Sequence, residues 1–329
     1  MTEVAMPVHS VTDDLDARLV HALQLDGRAP FSTLAAVLGT SPQTVARRYA
    51  RLREPGGLRV IGRTDPPRDR VRWMVRLSST PDAAVTIAQA VARRADASFV
   101  ALASGGTEVI CVAEGPGDMS ETPLLRRLPQ TPRVVAVRAH QLLHLIFGGR
   151  SGWYAKLDAL SSEQVAALRP PVPSGDPVTP DRVDHLLLEA LSRDGRTGSA
   201  ALSRIAAVTE SSVRRRVQRL RDAGLLYFDL QLDPAVLGYH STTLLWLSVT
   251  PARLEPVAAE LAGHAEVAFA AVTTGRANIV AALICRTADD LYRYLTRSLS
   301  PLDGIVQVET VPVMRQVKHL TSDGLVRPG

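Results

Sequence analysis

Cysteine, lysine and aromatic residues are all scarce in this 329-residue chain, and each scarcity removes a class of function. Cys111 and Cys285 are the only cysteines and belong to no metal-ligand or redox spacing. Each lies in an apolar run that reads as a strand, so two buried thiols are expected rather than a metal or redox centre. No apolar run approaches the roughly 20 residues of a membrane span. The N-terminal MTEVAMPVHS has neither a charged n-region nor an apolar core, so no signal peptide is read there. A cytoplasmic protein with no cofactor, no metal and no membrane contact is the expectation. Lys156 and Lys318 are the only lysines, so arginine carries nearly all the positive charge. The net charge of +5 and a pI of about 9.6 permit an anionic partner without demanding one. Arginine forks suit phosphate and guanine, although a GC-rich genome would produce the same bias.

What is present is a basic helix, and it is present twice. Thr209 to Leu226 reads TESSVRRRVQRLRDAGLL, opening on a helix-capping residue type and stopping at Gly224. At about 100° per residue, Val213, Val217 and Leu220 share one side. Ser211, Arg215 and Arg219 take the other, with Ser212 close by. One apolar face and one arginine face suit a nucleic-acid groove, and suit a merely solvated helix as well. Ser41 to Leu58 echoes the stretch at a shift of 168, with Val45 on Val213, Arg47 on Arg215, Arg48 on Arg216, Arg51 on Arg219 and Leu52 on Leu220. Upstream, Asp13, Asp16, Leu19, Leu23, Asp26, Gly27, Arg28 and Leu34 recur as Asp181, Asp184, Leu187, Leu191, Asp194, Gly195, Arg196 and Leu202. The period is half the chain, so this is a duplicated two-domain unit and not a solenoid.

Taken in order, residues 1 to 11 read as disordered. Asp13 or Asp14 opens a helix that Gly27 ends; a short helix follows over about Ser32–Leu38, then a turn at Gly39-Thr40-Ser41. Pro42 fits the first turn of a third helix, which Pro55-Gly56-Gly57 breaks. Three short helices of this kind make a helix-turn-helix unit. In the third, Gln43, Thr44, Arg47 and Arg51 point outward, and Gln and Arg near such an N-terminus suit base edges. Arg48 and Arg53 flank them, fitting either a phosphate contact or an internal ion pair. Leu58 to Trp73, around Asp65-Pro66-Pro67, suits a wing hairpin. From Val71 the order becomes βαββαβ, the split βαβ arrangement of a ferredoxin-like domain: strands at 71–77, 98–103, 108–113 and 133–138, helices from Pro81 and at 124–128. The second copy repeats it with strands at 243–249, 267–273, 278–285 and 305–311 and helices from Pro251 and at 289–298. Between the copies, 153–169 reads as a helix with Ser161 at an N-terminal cap, and 170–175 as a stiff proline linker.

The sequence resembles the leucine-responsive/asparagine-synthesis (Lrp/AsnC) regulators. The residues that carry the likeness are Asp184, Leu187, Leu191, Asp194, Gly195 and Arg196, then Val213, Arg216, Leu220, Gly224 and Leu225, with the run LDPAVLG from Leu232 to Gly238. The resemblance implies an α+β chain of two winged helix-turn-helix domains and two ferredoxin-like, AsnC-type ligand-sensing domains in tandem. The boundaries expected are 12–70, 71–148, a helical and proline-rich linker at 149–179, 180–238 and 239–320. It further implies a sequence-specific DNA-binding transcriptional regulator, contacting double-stranded DNA through Gln43, Thr44, Arg47, Arg48, Arg51, Ser211, Ser212, Arg215, Arg216 and Arg219. In the family, effectors such as amino acids bind between sensor domains near the loop joining the second and third strands. That loop is Thr273 to Asn278 here, giving Thr274, Gly275, Arg276 and Asn278 as effector-binding residues, and more loosely Ser104 to Glu108 in the first copy. A plain tight turn at Gly275 or Gly105 is the alternative. Pairing of the two sensor sheets within the chain, and assembly of such pseudo-dimeric chains into homo-oligomers, are expected.

The copies are unequal. Arg59, Arg63, Arg68, Arg70 and Arg72 make a basic strip in the first wing region, where the second has Tyr227, Phe228, Asp229 and Asp233. One competing reading is an enzyme, because sirohaem decarboxylases share this fold and occur as fused pairs. Those enzymes carry an aromatic and histidine-rich stretch where Ala265 to Leu283 here has no histidine, tryptophan or tyrosine, so no catalytic residue is assigned. The other competing reading is a sensor or scaffold that has lost DNA binding.

Overall fold

The computed structural model describes residues 13–54, 57–64, 70–116 and 122–318. The tail at 1–11, the wing turn at Asp65-Pro66-Pro67 and the helix break at Pro55-Gly56 lie outside the described residues. In chain order the first copy gives α1 (Asp14–Leu25), α2 (Phe31–Leu38), α3 (Pro42–Arg53), β1 (Arg59–Thr64), β2 (Arg70–Ser79), α4 (Ala84–Ala92), β3 (Ala97–Ala103), β4 (Glu108–Pro116), α5 (Pro123–Arg127) and β5 (Val134–Phe147). After α6 (Ser162–Leu168) the second copy gives α7 (Arg182–Arg193), α8 (Ser199–Ala206), α9 (Glu210–Asp222), β6 (Leu226–Gln231), β7 (Ser241–Val249), α10 (Leu254–Gly263), β8 (Val267–Thr273), β9 (Ile279–Cys285), α11 (Ala288–Arg293) and β10 (Ile305–Lys318). Contacts group the described residues up to Thr64 with Arg150–His240 in one compact unit, and those from Arg70 to Gly149 with Ser241 onward in another.

The first unit holds both helical triplets. Their helix starts are set by side chains that satisfy otherwise unpaired backbone N–H groups: Asp13 for α1, Ser41 for α3, Asp181 for α7 and Thr209 for α9. Leu19, Leu23, Leu34, Val45 and Leu52 are buried in the first triplet, and their counterparts Leu187, Leu191, Leu202, Val213 and Leu220 in the second. The wing hairpin expected between Leu58 and Trp73 does not form. β1 instead pairs antiparallel with β6, and β2 enters the sheet of the other unit. Ile61 lies opposite Asp229, its own counterpart at the 168-residue shift, so a pseudo-two-fold axis passes through this pair. The symmetry recurs in reciprocal arginine contacts. Arg28 donates to the carbonyls of Gly195 at 2.5 Å and Thr197 at 3.2 Å, while Arg196 donates to those of Gly27 at 2.6 Å and Ala29 at 3.0 Å.

Between the copies the expected single helix is broken. Trp153–Lys156 is one tight turn, Asp158 has a left-handed φ of 51°, and α6 then starts at the reciprocal cap of Ser161 and Gln164.

The second unit is a closed eight-stranded barrel in the order β10-β3-β4-β2-β5-β8-β9-β7. Each copy contributes a four-stranded sheet, β3-β4-β2-β5 and β8-β9-β7-β10, and the long final strands close the ring. β5 pairs with β2 as far as Leu142 and then with β8 through Phe147. β10 pairs with β7 as far as Pro312 and then with β3 from Val313 to Lys318. Met74, Ile110, Leu244, Trp246, Val280 and Val311 fill the space between the sheets, and each sheet's outer face is covered by its own helices. Cys111 and Cys285 are free and buried, and burial pushes the Cys111 thiol up to about 12. Among the described residues, no helix is long and apolar enough to cross a membrane, and no cluster of histidine, cysteine or acidic residues is placed to hold a metal.

One cap separates the copies. α2 ends on Gly39 at φ 67°, whereas α8 ends at the equivalent place on Ala207 at φ 53°. A Cβ in the left-handed region costs about 1–2 kcal/mol. Ala207→Gly is therefore expected to stabilise the chain by about 0.5–1 kcal/mol, after the entropy that glycine returns to the unfolded state. The measurement is the urea midpoint, and an unchanged or lower midpoint would contradict the expectation.

Candidate DNA interface and effector site

The ten residues proposed for DNA contact divide into two sets by what their side chains touch. Asp16 of α1 has no exposed surface, and its carboxylate receives Arg48 at 3.1 Å and, closer still, Arg51. Arg48 also pairs with Asp13. The second copy repeats this: Asp184, equally buried, receives Arg216 at 2.9 Å and Arg219 at 2.5 Å, and Asp181 receives Arg216 at 2.7 Å. Arg48 and Arg216 are thus ion-paired to the capped start of α1 and α7, the internal pairing that was one of the two readings open for Arg48. Arg51 and Arg219 keep about half of their side-chain surface exposed, 49% and 46%. Arg53 approaches Asp194 at 3.8 Å. The hydrogen bond from Arg48 holds the Asp13 carboxyl below the usual carboxylate range, and the Asp184 backbone N–H with Arg216 does the same for Asp181.

The second set faces outward. Gln43, Arg47, Ser211 and Arg215 are exposed, and neither Arg47 nor Arg215 has an acidic partner among the described residues. Thr44 and Ser212 lie at the first turn, where their backbone N–H groups donate to the caps Ser41 and Thr209 at 3.1 and 3.3 Å. The buried aspartate at the start of the first helix is the functional residue that sequence reading left without a role. Its signal was present: an acid at 16 with arginines at 48 and 51, repeated at 184, 216 and 219.

The basic strip expected in the first wing is divided as well. Arg63 is buried and pairs with Asp229 at 2.9 Å across the β1–β6 ribbon, and Arg72 pairs with Glu114 at 2.9 Å. Asp229 also receives Gln24 at 3.2 Å. It therefore neutralises a neighbour within the protein and does not face a phosphate backbone. Arg59 and Arg70 are exposed, and Arg68 lies outside the described residues.

In the sensor unit, the Thr273–Asn278 loop packs on β5. The Thr274 hydroxyl accepts from the Gln141 backbone N–H at 2.9 Å, and its carbonyl lies 2.9 Å from His140 Nδ1. Gly275 has φ +111°, and a Cβ there would sit 2.6 Å from His140 Nδ1, so both the backbone and the space require glycine. Arg276 is exposed. The Asn278 amide is engaged at both ends by Val249, accepting from its N–H at 2.9 Å and donating to its carbonyl at 2.7 Å. Thr274 and Gly275 are thus brought together with His140, whereas Asn278 clasps the end of β7.

The equivalent loop of the first copy meets a charged cluster. Glu108 receives Arg76 at 2.5 Å and the Ser104 hydroxyl at 2.9 Å, and Arg76 reaches Glu309 at 2.8 Å. The Arg76 guanidinium lies 5.1 Å from the Trp246 ring centroid. Burial works against its charge, but the bonds to Glu309 and Glu108 prevail and hold it above the ordinary arginine value. Arg76 in turn holds the Glu309 carboxyl below its ordinary 4.5.

Comparison with known proteins locates this arrangement. The AsnC-type helix-turn-helix domain matches residues 13–53 and 181–221, and the Lrp/AsnC ligand binding domain matches residues 242–323. An uncharacterised HTH-type transcriptional regulator of Pyrococcus horikoshii is 31% identical over 140 residues, 42% of this chain and 89% of that protein. The regulatory protein AsnC of Escherichia coli is 30% identical over 145 residues, covering 42% of this chain and 95% of AsnC. Each such relative corresponds in length to about one copy. The crystal structure of the siroheme decarboxylase NirDL aligns over 95% of each chain with a TM-score of 0.62 at 13% identity, a likeness of fold across both copies.

Two outcomes test this geometry. Asp184→Asn removes the buried charge that Arg216 and Arg219 share, although Arg216 keeps Asp181, and is expected to cost about 1–3 kcal/mol, with a smaller loss for Asp181→Asn, whose side chain still caps; equal losses in urea unfolding would refute the buried clamp. Glu309 ionises below 4.5, so its contribution is complete above that value and lost as pH falls through its lower folded value. Glu309→Gln is expected to lower stability at neutral pH and to flatten the acid loss, read from urea midpoints taken from neutral to acid pH. By its repeated helix-turn-helix, its ligand-binding domain and its relatives, the chain belongs to the Lrp/AsnC family.

Proposed function

We propose that this chain acts as its own dimer on DNA, α3 and α9 reading two unlike half-sites of one operator while the barrel unit takes a small effector of the amino-acid class. The chain is a DNA-binding transcriptional regulator of the Lrp/AsnC type. The observation that carries the tandem reading is the pair Arg47 and Arg215. They occupy equivalent exposed positions on helices where Arg48, Arg51, Arg216 and Arg219 are held by the buried Asp16 and Asp184, and a pseudo-two-fold axis relates the helices. Two-fold protein symmetry matches the symmetry of paired half-sites. Their neighbours differ, Gln43 beside Arg47 and Ser211 beside Arg215, and this supports unlike halves. Gln43, Thr44, Arg47, Ser211, Ser212 and Arg215 are assigned to base edges and the adjacent backbone. Arg48, Arg51, Arg216 and Arg219 position the helices, the exposed parts of Arg51 and Arg219 adding phosphate contacts. Thr274, Gly275 and Arg276 are assigned to the effector, with Asn278 holding the loop. Chains assemble further into homo-oligomers, and the place of action is the cytoplasm, where the DNA is.

The test is binding to the DNA upstream of the protein's own coding region, across a salt series, with and without pooled amino acids. Affinity is expected to fall steeply with salt as counterions are released, and to shift with amino acids. Arg47→Ala and Arg215→Ala are each expected to cost about 1–3 kcal/mol, roughly tenfold to a hundredfold, and to erase protection in different half-sites. Identical footprints for the two variants would sink the asymmetric reading. Binding that is weak and indifferent to sequence would sink DNA recognition itself.

The full-length likeness to the siroheme decarboxylase favours a second reading, chemistry on a tetrapyrrole within the barrel unit. Incubation with sirohaem followed by an absorbance spectrum separates the two. The regulator reading expects the spectrum of the free pigment; a shifted band that persists through gel filtration would favour the enzyme.

A further inference from the structure

The two sensor domains differ on their outer, helix-covered faces. In the first, a cavity of about 400 Å³ opens between α4 and α5, within the usual size of small-molecule sites. Its floor is apolar, made by Ile87, Val91, Leu124 and Leu128, all buried. Its rim carries Arg94, Arg127 and Arg133. Arg94 is held by Asp96 through two bonds of 2.7 Å, and Arg133 pairs with Asp82. Arg127 is exposed and has no acidic partner among the described residues, so three arginines against two aspartates leave one positive charge uncompensated.

The second copy fills the corresponding place with different side chains. At a shift of 170, Tyr294 stands where the first copy has Leu124, and His264 stands for Arg94. Tyr294 is 1% exposed, and its hydroxyl lies 2.9 Å from His264 Nδ1. The rim differs too. The Arg133 carbonyl accepts from Thr80 at 3.1 Å, as the Gly304 carbonyl accepts from Thr250 at 2.9 Å, so the two residues are counterparts. Gly304 has φ 94° and Arg133 φ 69°. A conformation suited to glycine is thus occupied by a bulky cation at the edge of the cavity.

We propose that the α4–α5 cavity of the first sensor domain binds a compact anionic amphiphile: a carboxylate read by Arg127 with Arg133, on an apolar body of roughly six to ten carbons lying over Ile87, Val91 and Leu124. The site is separate from the Thr273–Asn278 loop and does not rest on the DNA-binding reading, because occupancy is measured without DNA. An apolar floor supplies affinity for the body, and a charge-assisted bond to the exposed Arg127 guanidinium selects the anion.

The experiment is calorimetric titration of the full chain with octanoate, compared with 1-octanol and octylammonium. Saturable binding of one octanoate per chain is expected, with the neutral and cationic probes bound roughly tenfold more weakly or worse. Arg127→Gln, an exposed change, is expected to weaken octanoate by about tenfold and to leave octanol unchanged. The double variant Leu124→Tyr, Arg94→His copies the second domain and is expected to abolish binding, with circular dichroism confirming that it folds. Absence of saturable octanoate binding would overturn the proposal. So would equal affinity for octanoate and octanol, which would mean a plain apolar groove, or wild-type affinity in both the Arg127 and the double variant.

Discussion

The arrangement depends first on two carboxylates that cannot be left alone. Asp16 and Asp184 are fully buried, and a buried charge without a partner costs several kcal/mol. Each can be satisfied only if the helix two elements later presents two arginines one turn apart on the side facing it. That requirement fixes the rotation of α3 about α1 and of α9 about α7. Arg47 stays exposed without an acidic partner among the described residues, and the half-exposed Arg51 shares its side of the helix. A helix rich in arginine is often a solvated face; here its charges are sorted by a single acid into support and display.

The second organising constraint is symmetry between the halves of one chain. Ile61 meets Asp229, and Arg28 and Arg196 exchange backbone contacts across the same axis. Close approach at this axis explains the small residues there: a Cβ on Gly195 would lie 3.0 Å from the Val60 carbonyl oxygen. In the barrel the same relation is expressed by β5 and β10, which start in their own sheets and finish in the other. The interfaces between the two copies are internal to one chain. Each copy therefore changes independently of the other, as at Ala207 opposite Gly39, Tyr294 opposite Leu124 and Gly304 opposite Arg133.

Much of this was legible in the sequence because it is local. The caps Ser161 and Thr209, the start of α1 at Asp13 or Asp14, the helical periodicity of Val213, Val217 and Leu220, and the duplication follow from spacing alone. What was not legible depends on partners far away in the chain. The strand β1 resembles half of a hairpin, but its mate lies 168 residues on, and Arg63 reads as a phosphate contact until Asp229 is seen beside it. The second halves of β5 and β10 show no clean alternation because they pass from one sheet to another. The role of Asn278 was invisible for the same reason, since its clasp on Val249 is made across the sheet.

The crossing of β10 also sets the order in which the molecule can be completed. The outer edge of β3 takes its partner from Val313–Lys318, more than two hundred positions further along, where Lys318 also reaches the Arg94 carbonyl at 2.8 Å. During synthesis the first sheet must therefore wait with an open, apolar strand edge while the linker and the whole second copy are made. Contacts of such long range slow folding, and open edges invite pairing with other chains. The same strand that makes the two halves inseparable leaves the nascent first half exposed to its neighbours on a polysome, so covalent duplication exchanges a search for a partner molecule for a wait for the chain's own end.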